Sequence, residues 1–354
     1  MRIAWIQDLH LKPYLLFRKR MLVGDANEAL NQIAQICVQR QVSAIILGGD
    51  VYDSPRPEAY ALQAFGAFVR GLRRKGVEVY DLQGNHDKTT EIEGLGPAPS
   101  LAGCQEVQSI NGMLCGVDAA RLDGGIQIYG LQYAPAATIT EQLANVPECD
   151  ILCMHARFQH MLGFDEAFNF TLEDIPPQVK WAVLCGDIHA TDVTEYRKDR
   201  WFVSSGSIYP VKYGEHMRDH MVCILDTETR VPELVKLKHR KYLDIDGLAD
   251  IQIADYIWQQ DDRCSKESRL RPVFITSLDI PTMESQFPGY IFVPQPKVRD
   301  VGQEDPGLDD GGMTLEQAIA KHCATEPEVH QMLTDLVATG NPAQYMEEWL
   351  KLNT

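Results

Sequence analysis

The chain has 354 residues, 45% of them hydrophobic and 23% charged, and a formal net charge of −17 at pH 7. That length suits one large domain plus a smaller one, and the composition is ordinary for a soluble globular fold. The charge argues against non-specific adhesion to nucleic acid, though not against a local basic footprint. No apolar run reaches the roughly 18 residues of a bilayer span, and the opening residues lack a signal-peptide pattern. The nine cysteines are scattered, with neither zinc spacing nor a disulfide framework, so a cytoplasmic protein with core thiols is expected.

Residues 2–6 read as an apolar strand ending in Asp8-Leu9-His10, and on an extended segment Asp8 and His10 share a face. Residues 25–41 read as an amphipathic helix. Asp25 would cap it with Glu28 closing a capping box, and Ala26, Leu30, Ile33 and Cys37 form its buried stripe. Residues 43–47 form a buried strand that runs through Gly48-Gly49 into Asp50 and Asp53. A carboxylate at the carboxyl end of a parallel strand can bridge metals or orient a catalytic group; the plainer reading is an Asp-rich turn. A second helix covers 57–75 and stops at Gly76, with Arg70, Arg73, Arg74 and Lys75 in its last turns. These cations either complement the helix dipole or form a DNA patch. Residues 77–82 form a third strand ending in Gly84-Asn85-His86-Asp87, and the strand–helix–strand alternation predicts a parallel α/β core.

After a Gly- and Pro-containing loop at 94–103, strands are expected at 112–117 and 126–133. Strand 150–154 delivers His155, and strand 181–185 delivers Gly186-Asp187-Ile188-His189. Further strands at 201–204 and 221–225 flank Gly206-Ser207. Five apolar strands thus end in a potential metal ligand. Asp8, His10, Asp50, Asn85, His155, Asp187 and His189 are hard oxygen and imidazole donors without a thiolate. Such a set suits Mn²⁺, Mg²⁺ or Fe²⁺ better than structural zinc. Two such ions about 4 Å apart, bridged by one carboxylate, would activate a water and clamp a phosphate.

Asp-x-His, Gly-Asp-x-x-Asp, Gly-Asn-His-Asp, a lone His and Gly-x-x-His occur here in one order, and that order resembles the calcineurin-like metallophosphoesterases. Asp50-Val51-Tyr52-Asp53-Ser54-Pro55-Arg56-Pro57 resembles, more narrowly, the SbcD type, the nuclease subunit of bacterial and phage DNA double-strand-break repair complexes. The resemblance covers residues 1 to about 240 by motif and the rest by layout alone. It implies a four-layer sandwich of two mixed β-sheets flanked by helices, with a small α+β capping domain and a helical tail. It also implies that Asp8, His10 and His189 hold one metal ion and Asn85, His155 and Asp187 the other, with Asp50 bridging. Manganese is the expected metal, with magnesium or iron as alternatives. His86 would face the phosphate and serve the leaving oxygen, and Asp53 would orient His86; the plainer role for Asp53 is a helix cap. The family usually has His where this chain has Asp187, an added negative charge that favours harder ions.

The expected organisation is a nuclease domain over 1–243, a reduced DNA-capping domain over 244–296, a linker over 297–313 and a helical tail over 314–354. Within the cap, a helix at 251–260 and a strand at 272–278 are expected. The basic stretch 235–241 is either a lysine-protected strand edge or a DNA-backbone contact. From residue 300 onward there are eleven Asp or Glu against two Lys. The tail helices, at 314–323, 328–338 and 342–352, carry apolar stripes too small for a core of their own. In the resembled family such a tail docks on an SMC-like coiled-coil ATPase of the SbcC type; packing back on its own domain is the alternative. The family also dimerises through helices of the catalytic domain. The expected function is therefore a two-metal phosphodiesterase acting on DNA ends. Its rivals are a small-molecule or cyclic-nucleotide phosphodiesterase of the same superfamily, or a subunit that binds without cleaving.

Overall fold

Two six-stranded sheets lie face to face in this structure, a computed structural model. It describes residues 1–12, 14–17, 20–87, 107–109, 112–113, 125–161, 170–212, 214–248 and 250–295. The expected linker at 297–313 and tail at 314–354 lie outside the described residues, as do loop 94–103 and residues 114–117. All described residues belong to one unit, Met1–Gln295.

The first sheet runs in the order Pro232–Leu237, His220–Asp226, Arg2–Ile6, Ala44–Leu47, Glu78–Asp81, Val107–Ser109. Its last four strands are parallel and its first two antiparallel. The second runs Asp192–Arg197, Arg200–Ser204, Val179–Gly186, Cys149–His155, Ile128–Leu131, Gly112–Met113, with four parallel strands between two antiparallel edges. Strand alternation sorts the side chains: Ile3 and Trp5 enter the layer between the sheets, while Ala4 and Ile6 face the helices. The inner layer also takes Ile46, Tyr80, Ile151, Cys153, Trp181 and Leu184. Helices Asp25–Gln39 and Ala59–Arg73 cover the outer face of the first sheet, and Ala136–Ala144 covers that of the second. The result is the expected four-layer α/β sandwich with mixed sheets.

The 25–41 helix forms as Asp25–Gln39 and buries the expected stripe, but its cap differs from expectation. Gly24, at φ 95°, holds the cap position, and Asp25 is spent elsewhere. Its carboxylate accepts from Nε and Nη2 of buried Arg240 at 3.0 and 2.9 Å, while Arg240 also donates to the carbonyls of Val23 and Arg271. Arg240 and His239, the end of the basic stretch, are therefore internal. Pro232–Leu237 is a sheet edge, and Lys236 on it pairs with Asp219. Beyond it, strands Tyr242–Asp244, Val273–Thr276 and Ile291–Pro294 make a small parallel sheet with helices Asp250–Ser268 and Ile280–Gln286. That sheet has its own core around Ile257, Phe274 and Phe292, yet Val273, Ile275 and Val293 join the main one. The six described cysteines are buried thiols. Among the described residues no helix is long and apolar enough to cross a membrane.

Candidate metal centre

The five strand ends expected to carry donors do converge. Arg2–Ile6, Ala44–Leu47 and Glu78–Asp81 are neighbours in one sheet, and Cys149–His155 and Val179–Gly186 are neighbours in the other. Beyond the first strand the ladder continues into the loops: Asp8 N–H donates to the Gly49 carbonyl at 3.1 Å and His10 N–H to that of Asp50 at 2.9 Å. The two sheets meet so closely here that side chains must be absent. A Cβ on Gly49, at φ +93°, would stand 2.4 Å from His155 Nδ1, and one on Gly186 would stand 2.1 Å from the Gly48 carbonyl oxygen. Asp8, His10, Asp50 and Asp187 also have positive φ, of 50, 40, 52 and 93°. Non-glycine residues held there cost about 1–3 kcal/mol each and concentrate at functional sites.

Three groups of donors fall within 4.8 Å: Asp8 with His10 and His189, His10 with Asp50 and His86, and Asp8 with Asp50 and His155. Asp50 stands between the others. Its Oδ2 is 3.4 Å from His155 Nε2 and 3.8 Å from His10 Nε2, and its Oδ1 accepts the His86 backbone N–H at 2.8 Å. Burial opposes its charge, but the rings of His155, His10 and His86 hold its carboxyl well below the usual range. Asn85 Oδ1 lies 2.9 Å from His155 Nε2. Asp187 is brought less fully in: Oδ1 is 3.8 Å from His155 Nε2, and Oδ2 accepts from Arg157 Nε at 3.0 Å.

The ring orientations follow from the partners of Nδ1. A carbonyl oxygen only accepts, so His155 Nδ1, 2.8 Å from the Gly48 carbonyl, and His86 Nδ1, 3.0 Å from the Asp53 carbonyl, each carry a hydrogen. His189 Nδ1 lies 2.6 Å from Glu215 Oε1, and His10 Nδ1 lies 3.3 Å from Asp53 Oδ1. Burial opposes ionisation of Glu215, yet the His189 contact and the backbone N–H groups of Val211 and Lys212 bring its carboxyl down to about 2. The inward nitrogens are left for other work. His10 Nε2 and His189 Nε2 face each other at 3.0 Å. With a carboxylate near each Nδ1, the two Nε2 atoms are turned toward each other, placed so that a cation between them would be ligated by both. Around His155 Nε2 three oxygens gather instead. Burial disfavours a charged ring, but Asp50, Asp187 and Asp8 raise it to about 10. The donor set therefore fits divalent cations.

Asp53 departs from its expected contact. Its carboxylate faces His10 and accepts from Lys12 Nζ at 3.0 Å; only its backbone carbonyl reaches His86. The reason is register. Leu11 bridges Tyr52 in parallel pairing, which lays residues 10–12 alongside Asp53 and puts His10 and Lys12 within reach of its carboxylate.

The calcineurin-like phosphoesterase family profile matches residues 1–216, more than half of the chain. The chain is a calcineurin-like phosphoesterase. This family uses a dinuclear metal site, and the donor groups above are this phosphoesterase's candidates for it. Among curated relatives, a DNA double-strand break repair protein Mre11 of Sulfurisphaera tokodaii is 26% identical over 58% of this chain and 53% of its own length. The SbcD subunit of the SbcCD nuclease of Escherichia coli is 33% identical over 26% of this chain and 22% of its own. The chain thus spans about half the length, or less, of these relatives. A solved structure of TT1561 from Thermus thermophilus matches 66% of this chain and 98% of its own at 14% identity, with a TM-score of 0.40, too slight a likeness to carry an argument.

Three further residues of this phosphoesterase position the donors. Gln7, fully buried, donates through Nε2 to Asp8 Oδ2, the Ile188 carbonyl and Ser204 Oγ. Its Oε1 accepts from Trp5 Nε1 and Ser205 N, so one amide ties the two sheets behind Asp8. Asp87 accepts from the backbone of Gly84, Val51 and Tyr52, lashing the Asn85–His86 turn to the Asp50 loop. Glu215 is 26 residues from His189 and carries no sequence signal at all. Gln7 adjoins Asp8, and Asp87 closes the Gly84-Asn85-His86-Asp87 motif, so both have a sequence signal. A cavity of about 420 Å³ lined by Leu143, Phe170, Ile175 and Arg197 shares no residue with the centre.

Proposed function

We propose that this phosphoesterase is a nuclease that hydrolyses phosphodiester bonds at DNA ends, SbcD-like in role, as the nuclease subunit of a complex with an SMC-like ATPase. The observation that carries the catalytic part is the pair of inward imidazole nitrogens of His10 and His189, 3.0 Å apart, beside a carboxylate placed to bridge. The DNA part draws on the relatives named as a double-strand break repair protein and a nuclease subunit. In this reading Asp8, His10 and His189 hold one ion and Asn85, His155 and Asp187 the other, with Asp50 between them. Manganese is the proposed metal, because the donors are hard. Bound there, two divalent ions lower the pKa of a water and neutralise charge on the phosphate.

The protein's own contributions are orientation and proton delivery. Glu215 and Asp53 hold the His189 and His10 rings with Nε2 inward, and the Gly48 carbonyl does the same for His155. His86 is fixed by the Asp53 carbonyl through Nδ1, which leaves Nε2 to face the substrate. In its doubly protonated form His86 delivers the Nε2 proton to the departing oxygen, so that the leaving group departs as an alcohol. Residues 244–296 would cap the DNA, and the tail at 314–354 would dock on the ATPase coiled coil.

The test is hydrolysis by the full chain with Mn²⁺ of a linear duplex and of bis(p-nitrophenyl) phosphate, each with and without the ATPase. Cleavage of the duplex, stimulated by the ATPase, is the expected result. Hydrolysis of the small diester alone would make this a small-molecule phosphodiesterase, and DNA binding without hydrolysis of either would make it a scaffold.

A further inference from the structure

The centre gathers the carboxylates of Asp8, Asp50, Asp53 and Asp187 in a chain already at −17, which without bound cations is a poor setting for a polyanionic substrate. The contacts through it nevertheless begin and end on cations. Lys12 Nζ lies 3.0 Å from Asp53 Oδ1, which lies 3.3 Å from His10 Nδ1. His10 and His155 then meet Asp50 Oδ2 at 3.8 and 3.4 Å. From His155 the path continues at 3.8 Å to Asp187 and from Asp187 at 3.0 Å to Arg157. Lys12 thus terminates the row at the His10 end and Arg157 at the His155 end. Neither is buried: their side chains are 25% and 44% exposed, against 3–4% for Asp50 and His10. Each is steered by a carboxylate that is itself in contact with a candidate metal ligand, so each cation is held at the rim.

We infer that Lys12 and Arg157 are the specificity-determining cations of this site, gripping backbone phosphates on either side of the one to be cut. This rests on the nuclease reading above. A phosphate monoester or a simple diester presents one phosphate, which the centre itself would engage. A polynucleotide presents its neighbours too, and a cation at each end of the donor row meets them. Both side chains supply positive charge and N–H donors to phosphate, Arg157 from a delocalised guanidinium and Lys12 from a point charge. The sheet ends position both: Lys12 follows the Asp8–His10 turn of one sheet, and Arg157 lies two residues past His155 on the other.

The test uses the full-length protein without added metal, so that its readout is independent of turnover. Binding of a fluorescein-labelled single-stranded oligonucleotide is followed by anisotropy over a range of salt for wild type, Lys12→Ala, Arg157→Ala and Arg157→Lys. Each alanine variant should bind about tenfold more weakly, the scale of a lost charge-assisted contact. Each should also lower the slope of log K against log salt by about one. Arg157→Lys keeps the charge and should keep the slope, which separates lost contact from damaged folding. With Mn²⁺ added, kcat/KM of the alanine variants should fall further for the oligonucleotide than for bis(p-nitrophenyl) phosphate. Unchanged slopes in both alanine variants, or equal losses on the two substrates, would overturn the clamp while leaving the nuclease intact. A wild type that neither binds nor cuts the oligonucleotide overturns the nuclease reading and the clamp together.

Discussion

The two halves of the centre are built from different supports. On the Asp8–His10–His189 side the imidazoles are backed by carboxylates, Glu215 at 2.6 Å and Asp53 at 3.3 Å. On the Asn85–His155–Asp187 side His155 is backed by a neutral carbonyl, Asn85 is an uncharged donor, and Asp187 shares its charge with Arg157. A carboxylate behind an imidazole makes it a more basic and better-oriented ligand, whereas an arginine on a carboxylate draws charge away from it. On the proposed assignment, the first half holds its ion tightly and the second holds an exchangeable one. Affinity in such a centre would then be set one contact behind the ligands.

Removing what the halves share should do most. Asp50→Ala should abolish Mn²⁺ binding in both halves, read by equilibrium dialysis, together with all diester hydrolysis; near-normal binding would refute Asp50 as the bridge. His86→Ala should leave both ions bound yet lower kcat on the order of 10²–10⁴-fold. Loss of metal in that variant would make His86 a ligand. Glu215→Gln should weaken binding in one half alone, by about 10–100-fold, turning a tight-plus-weak calorimetric titration into two weak phases.

The remaining two effects are smaller and bear on the second half. In the metal-free protein the His155 pKa is raised to about 10, so the proton is held at neutral pH and must leave when an ion enters. Mn²⁺ affinity there should accordingly rise with pH, about tenfold per unit below pH 10, and calorimetry in buffers of different ionisation enthalpy should count about one proton released. Asp187→His should move the second half's preference several-fold from Mn²⁺ toward zinc while hydrolysis persists. An unchanged metal profile would remove Asp187 from the ligand set.

Much of this was legible in the chain because strand ends are local features. An apolar run of four or five residues followed by glycine and a donor announces both the element and the residue at its tip, as Ala44–Leu47 followed by Gly48-Gly49-Asp50 does. Within each sheet the tips gathered because neighbouring parallel strands share an end, and the face-to-face stacking of the two sheets brought the two sets together. What the chain could not announce was who stands behind the donors. Asp25 looks like a helix cap until Arg240, 215 positions later, claims it. Asp53 looks like the partner of His86 until pairing with residues 10–12 turns its carboxylate the other way. Helix Ala136–Ala144 and strand Asp192–Arg197 were also silent: the first is short and opens after Pro135 without a side-chain cap, and the second is an edge strand with no fully buried residue.

The guanidinium of Arg240 has a bearing on how this chain can be shortened. It ties segments that are distant in sequence: the helix entry at Val23 and Asp25, and the approach to the small sheet at Arg271. Cutting the chain after residue 238 would therefore do more than remove an appendage. It would leave a buried carboxylate with no counter-charge, a defect of about 3–5 kcal/mol, comparable to the whole stability margin of many domains. A minimal catalytic fragment should accordingly keep Arg240, and lineages that lose this arginine should first have replaced Asp25.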